Sequence, residues 1–147
     1  MSFLAEAAFQ RRFVERLNAN RAFNEQAQWF DGSVLLEAGP DQLWLKIYKG
    51  KVIDHQASVP PFGYTFKITG PESSWRLLLN GQRRWADLTT PGKRHFKDDP
   101  ALSTAGPAPA ELRTEGNLLE AGRLTEAIYQ LAYVLRESAG TEANHGA

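Results

Sequence analysis

Hydrophobic residues along the chain change their spacing several times, and each change predicts a change of secondary structure. Near the N-terminus Phe9, Phe13 and Leu17 recur every four residues with Val14 beside them, which puts them on one stripe of a helix. Asn18 and Asn20 break that stripe and can cap a second short helix over about 21–30, where Phe23, Ala27 and Phe30 repeat the spacing. After Asp31-Gly32 the period drops to two. Val34, Leu36 and Ala38 alternate over 33–38. Leu43, Leu45 and Ile47 alternate with Trp44, Lys46 and Tyr48 over 42–48. Tyr64, Phe66 and Ile68 alternate with Thr65, Lys67 and Thr69 over 64–69. A further strand covers 51–57. Gly39-Pro40-Asp41 and Lys49-Gly50 leave only tight turns between the first three strands, which predicts antiparallel pairing and a sheet with one solvated face. Pro60-Pro61-Phe62-Gly63 interrupts the ladder before the fourth strand, because proline has no N–H to donate.

The second half returns to helical spacing. Gly70-Pro71-Glu72 opens a helix: proline is tolerated in a first turn, and Glu72 meets the positive end of the helix dipole. Trp75, Leu78 and Leu79 form its buried stripe, and Asn80-Gly81 closes it. Residues 91–110 carry Pro91, Pro100, Pro107 and Pro109 among glycines and small residues, which reads as a long loop. A last strand follows over 112–115. Asn117 with Glu120 resembles a capping box, and Leu124, Ala127, Ile128, Leu131, Val134 and Leu135 then repeat at helical spacing. Gly122 is expected to kink or split this helix, at about 1 kcal/mol relative to alanine. Gly140 marks its expected end, with a disordered tail over 140–147. There are no internal repeats. The order predicts an α+β fold: a five-stranded, mainly antiparallel sheet with helices covering one face.

Composition narrows the chemistry. A chain of 147 residues suits one domain able to bury a real core. It has no cysteine, which excludes thiol catalysis and thiolate metal ligation. Lys+Arg and Asp+Glu number 17 each, so nothing in the net charge draws the chain to nucleic acid or an acidic membrane. Arg83, Arg84, Lys93, Arg94 and Lys97 are offset by Asp87, Asp98 and Asp99 and read as a solvated loop. No stretch approaches the ~20 apolar residues of a membrane span. In residues 1–17 the basic positions follow the apolar ones, unlike a signal peptide, so the cytoplasm is the expected compartment.

No catalytic constellation emerges. His55, His95 and His145 lack partners at metal-ligand spacing, and Asp54 and His55, adjacent on a strand, face opposite sides. Glu72, Glu115, Glu120 and Glu126 have simpler roles as helix-end or surface charges. Ser73-Ser74 open a helix with no histidine near them in sequence. No nucleotide-binding loop or nucleophile elbow is present, and no cofactor is implied. What remains is a set of large apolar side chains: Phe66, Trp75, Leu78, Trp85, Leu88, Leu118, Leu119, Ile128 and Leu131. Patterning alone leaves open whether they form a solid core or line a cavity, since both use the same residue types.

Residues 66–81, FKITGPESSWRLLLNG, resemble the strand–helix–glycine segment of the sterol carrier protein 2 family. Residues 112–121, LRTEGNLLEA, look like that family's strand ending in Gly-Asn or Gly-Asp before an apolar helix, and the strand pair around Val34 and Leu45 with its Lys49-Gly50 turn also fits. The resemblance covers about 20–137. It implies an N-terminal helix over 1–20, a lipid-binding domain over 21–139 and an insertion near 90–110 that departs from the family pattern. It further implies a tunnel between sheet and helices for a sterol, fatty acyl chain, acyl-CoA or phospholipid. Carried over by position, the walls are Phe66, Trp75, Leu78, Leu79, Leu118, Leu119, Ile128 and Leu131. The apolar pattern adds Trp85 and Leu88 as ligand-binding candidates, and although no charge is required, Arg113 or Arg123 could hold a head group at the mouth. The function so implied is binding or transfer of an apolar ligand without catalysis. The alternative is a scaffold or interaction module with a filled core, and a homodimer is compatible with either.

Overall fold

The computed structural model describes residues 2–89 and 111–146. A single 3₁₀ turn, Phe3–Ala5, leads into α1 (Ala7–Ala19) and α2 (Arg21–Gln26). Three strands follow, β1 (Asp31–Ala38), β2 (Asp41–Tyr48) and β3 (Lys51–Gln56), then β4 (Phe66–Gly70), α3 (Glu72–Leu79) and α4 (Trp85–Thr89). The chain ends with β5 (Arg113–Gly116), α5 (Leu118–Arg123) and α6 (Thr125–Gly146).

The turns follow from their residues. In the β2–β3 hairpin Lys49 and Gly50 both take positive φ, 49° and 79°, as a two-residue I′ turn requires. In the β1–β2 hairpin Gly39 has φ 61° and proline at position 40 cannot follow it there, which leaves the II′ arrangement. Asn20 caps α2 by accepting the Phe23 N–H at 2.8 Å. Asn18 does something else: its side-chain amide accepts from the Val52 N–H at 2.7 Å and donates to the Val52 carbonyl at 3.0 Å. It thereby acts as a one-residue strand partner for the exposed edge of β3.

The sheet order is β3-β2-β1-β4-β5. Three pairings are antiparallel, but β1 and β4 run parallel, so the sheet is mixed. The reason lies in the 57–65 connection. It does not turn a hairpin at β3 but returns across the face opposite the helices, so that β4 enters beside β1 in the same direction. That face is therefore not simply solvated. Trp44 and Leu35, which point to it, are 2% and 1% exposed. Trp44 donates its indole N–H to the Gly63 carbonyl at 3.2 Å, and Phe62 packs edge-on against its ring at 5.6 Å. Tyr64, expected to face inward with Phe66 and Ile68, lies before the strand and is half-exposed. The ammonium of Lys67 sits 5.9 Å from its ring.

On the other face the alternating residues behave as their period predicts. Val34, Leu36, Ala38, Leu43, Leu45, Ile47, Phe66 and Ile68 are all buried. They meet Phe9, Phe13, Leu17, Phe23, Leu131 and Leu135 in one apolar core. α1, α2 and α3 each pack on α6, which is the spine of the helical layer. The expected break near Gly122 occurs at Leu124, whose φ of −101° and ψ of 15° separate α5 from α6. α6 then runs through Gly140 to Gly146, past the stop and into the tail that the sequence predicts to be disordered. One glycine costs a helix about 1 kcal/mol, and no proline follows to end it. The loop expected over 91–110 lies outside the described residues.

Candidate functional site

The space between sheet and helices is where the resemblance places a tunnel. Phe23, Ala27, Val34, Ile47, Phe66, Leu124, Ala127, Ile128 and Leu131 surround a gap there of only about 10 Å³. That is room for at most one water, and an apolar void of this size stays dry. Side chains therefore fill the interior here. Trp75 belongs to the same packing: it is 0% exposed, its indole N–H donates to the Glu37 carbonyl at 2.8 Å, and its ring lies 6.2 Å from Phe3 and 6.4 Å from Trp85. Leu88 is also fully buried, and Leu79 packs half-buried at the core's rim.

The larger opening lies to one side, where α4, β5, α5 and the start of α6 meet. It is an open cavity of about 260 Å³. Trp85, Leu118, Ala121 and Ile128 supply apolar walls, with Thr89, Thr114, Thr125 and Gly122 between them. Small residues create it. A Cβ built on Gly122 would meet nothing within 4 Å. Two of the threonines already donate their hydroxyl protons to backbone, Thr89 to the Trp85 carbonyl at 2.9 Å and Thr125 to the Gly122 carbonyl at 2.8 Å. These two have no proton left to offer a ligand, so apart from the Thr114 hydroxyl the cavity presents mostly hydrocarbon and acceptor oxygens.

The structure thus divides the expected site residues. Ile128, Trp85 and Leu118 line the cavity, with Leu118 remaining 60% exposed at its rim. Phe66, Leu131 and Ile128 bound the filled interior. Leu119 is 68% exposed and lines neither space, because it sits one residue around α5 from Leu118. Neither Arg113 nor Arg123 lines the cavity: Arg113 stands 3.8 Å from Glu115 and Arg123 pairs with Glu120 at 3.1 Å. Sequence reasoning missed Ala121, Gly122 and the three threonines, because it searched for bulky apolar residues and a cavity forms where bulk is lacking.

Charge organisation concentrates on the opposite face of the sheet. Lys67 bridges Glu37 at 3.2 Å and Glu115 at 3.8 Å. Burial alone would raise the Glu37 pKa, but hydrogen bonds from Gln42, Lys67 and Thr69 and the Lys67 charge outweigh it and hold the carboxyl below its ordinary range. The same hydrogen bond to Glu37 holds Lys67 above its ordinary value. Asp41 is lowered by the Ser2 backbone N–H, 2.6 Å away. The Lys67 network ties β4 to β1 and β5, Asp41 holds the residue before the 3₁₀ turn to β2, and none of these groups lines the cavity. Among the described residues no three His, Asp or Glu side chains converge as metal ligands, and no helix is long and apolar enough to cross a membrane.

Solved structures share this architecture. A crystal structure of sterol carrier protein 2 superposes with a TM-score of 0.62 at 17% identity, over 88% of this chain and 95% of that one. The solution structure of a conserved hypothetical protein from Thermus thermophilus, described as possibly a sterol carrier protein, gives 0.58 at 17% identity over 90% and 87%. No protein-family model matches the sequence, and no curated protein is similar to it. The class is therefore an α+β protein with a five-stranded mixed sheet and one helical layer. More particularly, the chain has the sterol carrier protein 2 fold.

Proposed function

We propose that this protein binds the hydrocarbon part of a small amphiphile, non-catalytically, in the cavity beneath α5. The observation that carries this reading is the 260 Å³ space walled by Trp85, Leu118, Ala121 and Ile128, with the hydroxyl protons of Thr89 and Thr125 already engaged. Its volume falls just under the ~300–1,000 Å³ of typical small-molecule sites, so it suits a short or partly inserted chain. Eight methylenes would gain roughly 6 kcal/mol on leaving water. Association costs at least about 4 kcal/mol, so hydrocarbon alone gives weak binding. Among the described residues α5 packs mainly on β4 and β5, which makes it the element whose shift would extend the space towards Ile128 and the closed interior.

The test is saturable binding of a fluorescent fatty acid, with mass spectrometry of an organic extract of the purified protein. Gly122→Phe enters open space and should fold normally while weakening binding about ten-fold, or 1.4 kcal/mol. Absence of both a co-purifying apolar molecule and saturable probe binding would sink the proposal. One observation favours a second reading, a scaffold of the same fold: the sheet–helix interior is filled to about 10 Å³. That reading expects Leu118 and Leu119, both exposed, to be covered by a partner, and a molecular mass in solution that rises with concentration.

A further inference from the structure

A second cleft lies directly behind Trp85, between the turn that links α3 to α4 and the outer side of α6. It holds about 190 Å³. Its floor is Leu78, Trp85 and Ala132, and its rim is cationic and aromatic: Arg83, Arg84 and Arg136, with Tyr129 and Tyr133 one helical turn apart. Three guanidinium groups around one opening stand out in a chain whose 17 basic and 17 acidic residues cancel. Arg84 Nε lies 3.5 Å from Asp87, and Arg83 Nη1 donates to the Gln82 carbonyl at 2.9 Å. Arg136 packs against the turn itself. A Cβ on Gly81 would lie 2.6 Å from Arg136 Nη2, so the glycine is what allows the guanidinium to lie against the backbone at the cleft's edge. Tyr129 and Tyr133 are 41% and 57% exposed, large rings left uncovered beside the cations.

We infer that this cleft receives the anionic head, a phosphate or a carboxylate, of the amphiphile whose chain lies in the cavity on the other side of Trp85. The inference rests on the proposed chain-binding cavity and adds its head group. Guanidinium groups meet the oxygens of phosphate and carboxylate in a two-pronged geometry that an ammonium cannot match, and phenolic hydroxyls can donate to the same oxygens. The cleft is too small for a whole lipid but suits an anion with its first few carbons. Trp85 lines both spaces, so a single indole is the wall they share, around which the amphiphile bends. The head group also supplies what the hydrocarbon lacks, charge-assisted hydrogen bonds that lift a marginal association to a useful one.

The experiment is calorimetric titration of the full chain at about 0.15 M salt, where exposed charges are screened beyond roughly 8 Å, with decyl phosphate, decanol and inorganic phosphate, each below its aggregation limit. Wild type should bind decyl phosphate at least about ten-fold more tightly than decanol, with inorganic phosphate far weaker than either. Arg136→Gln, with Arg84→Gln as a second variant, should remove most of that preference and leave decanol binding unchanged. Equal affinity for decyl phosphate and decanol in wild type would overturn the head-group assignment while leaving the cavity reading intact. So would an Arg136→Gln protein, folded by circular dichroism, that keeps the preference. Inorganic phosphate binding as tightly as decyl phosphate would mean a free-anion site and overturn the amphiphile. Should Gly122→Phe leave decanol and decyl phosphate binding untouched, the cavity reading falls and takes the two-part ligand with it.

Discussion

Trp75→Ala tests whether the helical layer is held by packing or leaves room for a ligand. Trp75 is 0% exposed and anchors α3 to the sheet through its 2.8 Å hydrogen bond to the Glu37 carbonyl. A fully buried tryptophan removes about 150–250 Å² from water, worth roughly 4–6 kcal/mol as an upper bound at 25 cal/mol per Å². Measured truncations of buried aromatics cluster at about 3–5 kcal/mol, because the hole collapses only in part. The expected loss is therefore about 4 kcal/mol, a large share of the ~5–15 kcal/mol that holds such a domain together. Trp75→Phe separates the contributions: it keeps most of the packing and deletes the hydrogen bond, for about 1–2 kcal/mol. Trp29→Ala is the control, since Trp29 is 90% exposed and its removal should stay within about 0.5 kcal/mol. Urea unfolding followed by far-ultraviolet circular dichroism reads all three without depending on which indole reports. A Trp75→Ala loss below about 1 kcal/mol, with an unchanged slope, would refute the packing argument and imply unfilled space beside α3.

Other consequences are as direct. Glu37 binds its proton more weakly folded than unfolded, so its stabilisation is complete above the ordinary carboxylate value of ~4.3 and disappears as pH falls through the lower folded value. Lys67 binds its proton more tightly when folded, so its part is complete below ~10.4 and is lost as pH rises through the higher folded value. Glu37→Gln should cost about 1 kcal/mol at neutral pH, with the gap to wild type narrowing below pH ~4. Chemical denaturation across a pH series that showed a constant gap would contradict this. Gly50→Ala should be markedly worse than Gly39→Ala, though both positions have positive φ. A Cβ at Gly50 would meet the Asn24 carbonyl, whereas at Gly39 nothing lies within 4 Å. Gly39→Ala should cost about 1–2 kcal/mol for the backbone alone, and Gly50→Ala at least about 1 kcal/mol more. Equal melting temperatures for the two variants would show that α2 does not press on the hairpin.

The elements and their buried faces are legible in the chain before it folds. Alternation at Leu43, Leu45 and Ile47, the four-residue stripe at Phe9, Phe13 and Leu17, and the turn residues at Gly39 and Lys49-Gly50 all act over a few neighbours, and the structure places each accordingly. The motif around Trp75 and the Gly116-Asn117 corner pointed to the fold that the superpositions show. Everything else depends on how distant elements meet. Nothing local states that 57–65 crosses the sheet, makes β4 parallel to β1 and shields Trp44. Nothing local states that the interior beside Phe66 closes to about 10 Å³ while about 260 Å³ opens beside Ala121 and Gly122. Periodicity reports which side of an element avoids water. It carries no measure of how two layers fill the gap between them, which depends on the summed volumes of residues far apart in the chain. For the same reason Arg83 and Arg84 read as a solvated pair until the fold brought Arg136, far along the chain in α6, to the same opening.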